Sequence, residues 1–202
     1  MEAYTLRILS PVLRRSSPRI TASVPVGSSA GIGYNLIDQG VSVPLIMAHT
    51  ASVDMKAIRD SLASWLQSLS ALRYPSFGPM CTVVRGSNNA TWQQAFNGMV
   101  EMALHDGEDM LVNLPYDRIR ACGVQFGYLL DDVEQPSLIF LDGFRTDNLM
   151  VDVEANEVTG LLNYSNAVWG DPEMMRCGTG SLYIPIPDAG VTSSRVAVRR
   201  LL

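Results

Sequence analysis

Lysine is nearly absent from this chain. Its 202 residues include one, Lys56, against fourteen arginines, and two histidines, His49 and His105. Chemistry that needs a lysine on a phosphate, or a histidine as acid or base, has very few candidates to draw on. With no Ser or Cys partner motif beside it, each histidine reads as an ordinary surface or helix-end residue. Cysteine is scarce too. Cys81, Cys122 and Cys177 are odd in number and widely spaced, which argues against a disulfide frame or a zinc site and reads as reduced, buried structural thiols. Positive charge is in deficit, with a net charge of −5. That disfavours nucleic acid and anionic membrane as partners, since both select a basic face. The apolar runs fall far short of a membrane span. The first residues, MEAYTLRILSPVLRRSSPRI, lack the apolar core of a signal peptide, so the expected location is cytoplasmic.

The composition is 47% hydrophobic and 17% charged, as in a globular domain with a core of its own. Residues 1–18 are rich in Ser, Pro and Arg and read as an irregular segment. RITASVPV (19–26) and IGYNLID (32–38) read as two strands of a hairpin around the turn SSAG, and residues 39–45 as a linker. The glycines of GSSAGIG lie between strands and lack a Gly-Lys-Ser/Thr ending, so they read as a turn and not a phosphate loop. Over residues 53–73 apolar side chains at Met55, Ile58, Leu62, Trp65, Leu66, Leu69 and Leu72 recur every three or four positions, which predicts an amphipathic helix with Lys56 on its polar side. RYPSFGP breaks the pattern. Further helices are expected over 91–105, with Trp92, Phe96, Met99, Val100 and Met102 as its apolar members, and over 117–131. A short strand (138–141), a polar loop, and a hairpin turning at 154–156 complete an α+β order. A main domain over 19–180 and a tail over 181–202 follow, without internal repeats.

Phosphoryl transfer from ATP needs a carboxylate near the acceptor hydroxyl, hard oxygen ligands for magnesium and usually a lysine on the phosphates. LDGFRTDN, then LMVDV and EVTGLLNY, then SNAVWGDP have the outline of such a site. In their order they resemble the C-terminal lobe of the aminoglycoside phosphotransferase / choline kinase-like family, a branch of the protein-kinase-like fold. That family carries H-G-D-x-x-x-x-N, a hairpin ending in Asp-Trp or Asp-Phe, and Gly-Asp-Pro. The wording is most similar to fungal members. IGYNLIDQGVSVPL resembles the family's hinge strand, and the resemblance spans residues 19–175. It implies an α+β, kinase-like C-terminal lobe, helical, with a β-hairpin hinge and an active-site strand–loop–hairpin. The N-terminal lobe, with its glycine-rich loop and lysine, has no counterpart here.

The departures from the family bear on chemistry. The family's histidine falls on Leu141, its catalytic aspartate on Gly143 and its metal-binding aspartate on Asn163, while Asn148 and Gly170–Pro172 are kept. Losing a positioned base alone costs about 10²–10⁴-fold, and neutral Asn offers magnesium no anion. Ordinary ATP-dependent phosphotransfer is not expected, nor any cofactor or metal. Asp142, one residue before the family aspartate, is the candidate replacement, or else a turn-capping Asp. Arg145 and Asp147 are further catalytic candidates, with a structural Arg145–Asp147 or Arg145–Asp171 pair as the alternative. Asn148, Asn163, Tyr164 and Asp171 are ligand-binding candidates. Against this, Asn148 and Asn163 could serve loop geometry only, Tyr164 could be a buried aromatic, and Asp171 could be structural. Three readings stand: a repurposed fold that binds a small molecule, such as a natural-product intermediate, and catalyses a cofactor-independent cyclisation, isomerisation or other acid/base step; a non-catalytic pseudokinase fragment acting through protein contacts; and a phosphotransferase completed by a partner. Open strand edges and uncovered helix faces predict a homodimer or larger homo-oligomer.

Overall fold

The computed structural model describes residues 2–9, 19–24, 34–38, 40–48, 53–141 and 145–177. It is a mixed α+β structure. Helix α1 (Glu2–Leu9) precedes β1 (Arg19–Val24) and β2 (Tyr34–Asp38); β3 (Val43–Pro44) runs directly into α2 (Leu45–Ala48). The long helix α3 (Met55–Ser70) is followed by β4 (Gly78–Pro79), α4 (Met80–Val83), α5 (Trp92–Asp109) and α6 (Tyr116–Phe126), the last continuing as a 3-10 turn over Gly127–Asp132. The C-terminal part holds β5 (Ser137–Phe140), β6 (Leu149–Asp152), β7 (Glu157–Leu161), β8 (Ala167–Gly170) and α7 (Met174–Cys177). Among the described residues the strands form three small antiparallel sheets, in the orders β1-β2, β3-β6-β7 and β4-β8-β5.

Helix α3 organises the core. Asp54 caps its start, its Oδ1 accepting from the backbone N–H groups of Lys56 (2.9 Å) and Ala57 (3.2 Å), which satisfies two donors that have no intrahelical partner. Ile58, Leu62, Trp65, Leu66 and Leu69 form its buried stripe. They meet β5 and β7, where Leu138, Ile139, Phe140, Val158 and Leu161 are buried, and Trp65 stacks on Phe140 at 6.3 Å. Each such side chain contributes about 1.5–3 kcal/mol by leaving water. The helix–sheet contact is also tied by Ser61 Oγ, which accepts from Val158 N at 2.9 Å. Asn156, at φ 52° in the β6–β7 turn, is a residue type that tolerates the left-handed region; its Oδ1 accepts from Asp54 N at 2.8 Å.

The expected hairpin is present as β1-β2, with Arg19 opposite Asp38 and Val24 opposite Tyr34; its turn lies outside the described residues. Helix α3 and the β6–β7 hairpin also stand where periodicity puts them. Several expectations need correction. Residues 2–9 are helical, not irregular, because Leu6 and Leu9 sit one turn apart and both are buried; the Ser/Pro/Arg-rich part of that segment lies beyond them. The expected linker contains β3, whose Val43 and Pro44 pair with Val151 and Met150. Met102 is exposed and not a packing member of α5. The single helix expected over 117–131 changes to 3-10 geometry at Gly127, where α5 comes so close that a Cβ would lie 2.5 Å from Gln93 Nε2. Cys122 is exposed and Cys81 half-buried, both as free thiols; Cys122 is on α6, which buries none of its residues. Strand β8 falls inside the SNAVWGDP stretch, for which no strand is expected. All four of its residues are buried between β4 and β5, so it shows no polar alternation to mark it.

Candidate functional site

Two loops leave this core side by side. The first joins β5 to β6 and the second joins β7 to β8. The pairing of β5 with β8, Phe140 opposite Ala167, and of β6 with β7, Leu149 opposite Leu161, brings their bases together. Between them is a cavity of about 330 Å³, lined by Phe140, Arg145, Asp147, Asn148, Leu162, Asn163 and Asn166.

Asn148 holds the two loops in register. Its backbone carbonyl accepts from Leu162 N at 2.8 Å, its Oδ1 accepts from Asn163 N at 2.8 Å, and its Nδ2 donates to Asn163 O at 3.4 Å. The Asn148 amide is thus committed to loop geometry, and its position at the wall of the cavity follows from that. The loop before it is a tight turn, with the N–H groups of Asn148 (3.0 Å) and Leu149 (2.9 Å) both donating to Arg145 O. The turn is anchored outward by Ile46 N, which donates to Thr146 O at 2.8 Å. Asn163 folds its own loop in the same manner: its Oδ1 accepts from Ser165 N at 2.8 Å, an Asx turn. Leu141 N donates to Asn166 O at 3.4 Å, closing the base of the cavity.

Arg145 and Asp147 form a two-pronged pair across this turn. Nε donates to Oδ1 at 3.1 Å and Nη2 to Oδ2 at 3.0 Å, with both side chains more than half exposed. The hydrogen bond from Arg145 holds the Asp147 carboxyl below its ordinary value. Asp147 is therefore ionised throughout the neutral range and is a weaker base than a free carboxylate. The pairing anticipated as the structural alternative for Arg145 is the one formed, with Asp147.

Four of the sequence-predicted residues, Arg145, Asp147, Asn148 and Asn163, share the cavity wall. Asp142 lies outside the described residues, as do Gly143 and Phe144. Tyr164 and Asp171 are not among the lining residues. Tyr164 is 1% exposed; its hydroxyl oxygen accepts from Leu161 N at 2.9 Å and its ring meets Phe140 edge-on at 5.7 Å, so it supports the cavity floor from behind. Asp171 accepts from Glu173 N at 2.9 Å through Oδ1 and from Met174 N at 3.1 Å through its backbone, shaping the turn into α7. Phe140, Leu162 and Asn166 complete the lining without having been singled out in the sequence. For Asn166 a signal was available, since it is the last polar residue of the second loop before an apolar run; for Phe140 and Leu162 there was none beyond adjacency to the loops.

The chain's one lysine is elsewhere. Lys56 lies on the surface of α3 beside Asp60, 3.5 Å away. His105 is on α5 beside Glu108, with Nδ1 at 3.3 Å from Oε2, and His49 is outside the described residues. Among the described residues no group of three or more His, Cys, Asp or Glu is placed to hold a metal ion, and no helix is long and apolar enough to cross a membrane. No family model matches the chain, and no curated protein matches it.

Proposed function

We propose that the chain is a small-molecule-binding protein built on a kinase-like C-terminal lobe of the aminoglycoside phosphotransferase / choline kinase-like kind, and that its ligand is an uncharged, hydrogen-bonding molecule. The observation that carries this reading is the composition of the cavity wall. Its described side chains supply one cation and one anion already paired with each other, three amides, and an apolar floor of Phe140 and Leu162. A charged ligand would have to compete with Arg145 for Asp147, or with Asp147 for Arg145. A neutral ligand with hydroxyl or amide groups gains hydrogen bonds without breaking that pair.

Phosphoryl transfer fits these residues poorly. At the position where the resembled family has its metal-binding aspartate, Asn163 offers a neutral oxygen that already accepts from Ser165 N. Lys56 pairs with Asp60 on the surface of α3 and is not part of the cavity wall. A cyclisation, isomerisation or other acid/base step gains little support from Asp147, whose basicity Arg145 lowers. Such a step would rest on Asp142. Binding is therefore the activity proposed.

The test uses the side-chain amides of the cavity as reporters. A fragment library sorted by net charge is screened by protein-observed NMR against the full chain, with magnesium-ATP as a separate arm. Neutral hydroxyl- or amide-bearing fragments are expected to shift the side-chain NH₂ signals of Asn163 and Asn166, and these shifts should vanish in Asn163→Leu. Saturable magnesium-ATP binding at the same signals, or no neutral fragment acting on them, would overturn the proposal.

A further inference from the structure

Helix α6 differs from the other long helices among the described residues. None of its eleven residues is buried. It is fixed to α5 by charge: Arg120 donates from Nε to Glu101 (3.1 and 3.2 Å) and from Nη1 to Glu108 at 2.9 Å. Apolar side chains collect on and around it in the open. Leu111 is 91%, Val124 87% and Met110 77% exposed, and Val112, Leu114, Phe126 and Tyr128 are exposed too. Exposed apolar side chains grouped within one stretch of the chain, 110–128, make it a candidate for an interaction site.

The charge around it says what kind of partner fits. Residues 101–134 carry eight acidic side chains against two arginines, and one of those, Arg120, is already held between two carboxylates. Asp106, Asp109, Asp117, Asp131, Asp132 and Glu134 are exposed. Two copies of the chain meeting on this face would bring like charges together, which costs affinity. An anionic partner is disfavoured for the same reason. The complement is a basic, apolar segment, and the chain has one: residues 193–202, SSRVAVRRLL, with three arginines, five apolar residues and no acidic one. That stretch lies outside the described residues. Fifteen residues, 178–192, separate it from Cys177, the last residue described. An extended connection of that length spans up to about 50 Å, and attachment to the same chain provides an effective concentration in the millimolar range.

We infer that residues 193–202 dock in cis on the acidic, apolar face formed by α6, the 110–115 loop and the 3-10 turn that follows α6. The arginines meet the exposed carboxylates, and the apolar residues cover the exposed Val124, Tyr128 and Leu111. The inference is independent of what occupies the cavity, since none of these residues lines it.

Hydrogen exchange on the full chain, compared with an Arg195→Glu/Arg199→Glu/Arg200→Glu variant, tests it. Backbone amides of 116–128 are expected to exchange at least tenfold faster in the variant at low salt, and 0.5 M NaCl should produce the same loss of protection in the wild-type chain. Cys122, exposed on α6, gives a second reading that does not depend on the variant's stability: its alkylation, located by peptide mass, should accelerate with salt in the wild-type protein. Equal exchange and equal alkylation in all conditions would overturn the inference. So would protection of 116–128 that grows with protein concentration, since the face would then belong to a second copy.

Discussion

Gly170 shows how a single residue can be dictated from outside its own strand. A Cβ placed there would lie 2.5 Å from two ring carbons of Trp92, itself fully buried against Phe77 and Phe96. Glycine at this point of the Gly-Asp-Pro sequence is what lets α5 pack on β8. Gly170→Ala is expected to destabilise the fold by about 1–3 kcal/mol through overpacking, measurable by urea denaturation; an unchanged midpoint would show that the indole shifts freely. At the cavity the residue that matters for charge is Arg145. Its hydrogen bonds depress the Asp147 carboxyl, so the stabilising pair is intact above the unfolded value of about 3.9 and is lost as pH falls through the lower folded value. The Arg145–Asp147 pair should thus stay ionised through the neutral range. In Arg145→Gln the Asp147 carboxyl should titrate at a higher pH than in the wild-type chain, as followed by carboxyl-carbon NMR; an identical titration would mean that the pair is not formed in solution.

Among the elements, those readable in the sequence are the ones whose residues answer to a local rule. Helix α3 shows its apolar residues at intervals of three and four and carries its own cap, Asp54, and the β6–β7 hairpin has a turn that its own Asp152 and Asn156 shape. Elements fixed by distant partners were not readable. Strand β8 is four buried residues held by β4 and β5, β3 is two residues including a proline on a sheet edge, and Gly127, where the helix changes geometry, packs against Gln93 of α5. The site divides in the same manner. Arg145, Asp147, Asn148 and Asn163 stand out as polar residues in the loops, and the buried-aromatic reading of Tyr164 and the structural reading of Asp171 are the ones the structure shows, though their partners Leu161, Phe140, Glu173 and Met174 are brought to them only by packing. Because α3 is the element on which both C-terminal sheets rest, Leu62→Ala should be among the most damaging truncations, at about 2–5 kcal/mol. Asp54→Ala should cost less, about 0.5–2 kcal/mol for the cap. Thermal unfolding of the two variants side by side checks the order; a cap loss exceeding the Leu62 loss would refute this account of the core.

On the scale of the whole molecule, a second exposed surface is present among the described residues. The β1-β2 hairpin touches α1, but Thr21, Ala22, Ser23 and Asn35 are exposed on it, and so is the large apolar Leu36. A two-stranded hairpin is marginally stable by itself, and among the described residues its outer edges pair with no further strand, which leaves them suited to pairing. Unlike the α6 face it is not strongly charged: the two strands carry Arg19 at one end and Asp38 opposite it, so two copies can approach there without repulsion. We propose that a homodimer forms through this hairpin, whose residues are distinct from those of the α6 face. The expected mass by light scattering at micromolar concentration is twice that of one chain. Leu36→Lys, which places a charge on an exposed site and leaves the core untouched, should shift the protein to the monomer with little change in thermal stability. A wild-type monomer would refute the proposed assembly outright, and a Leu36→Lys dimer of undiminished affinity would move it to another surface.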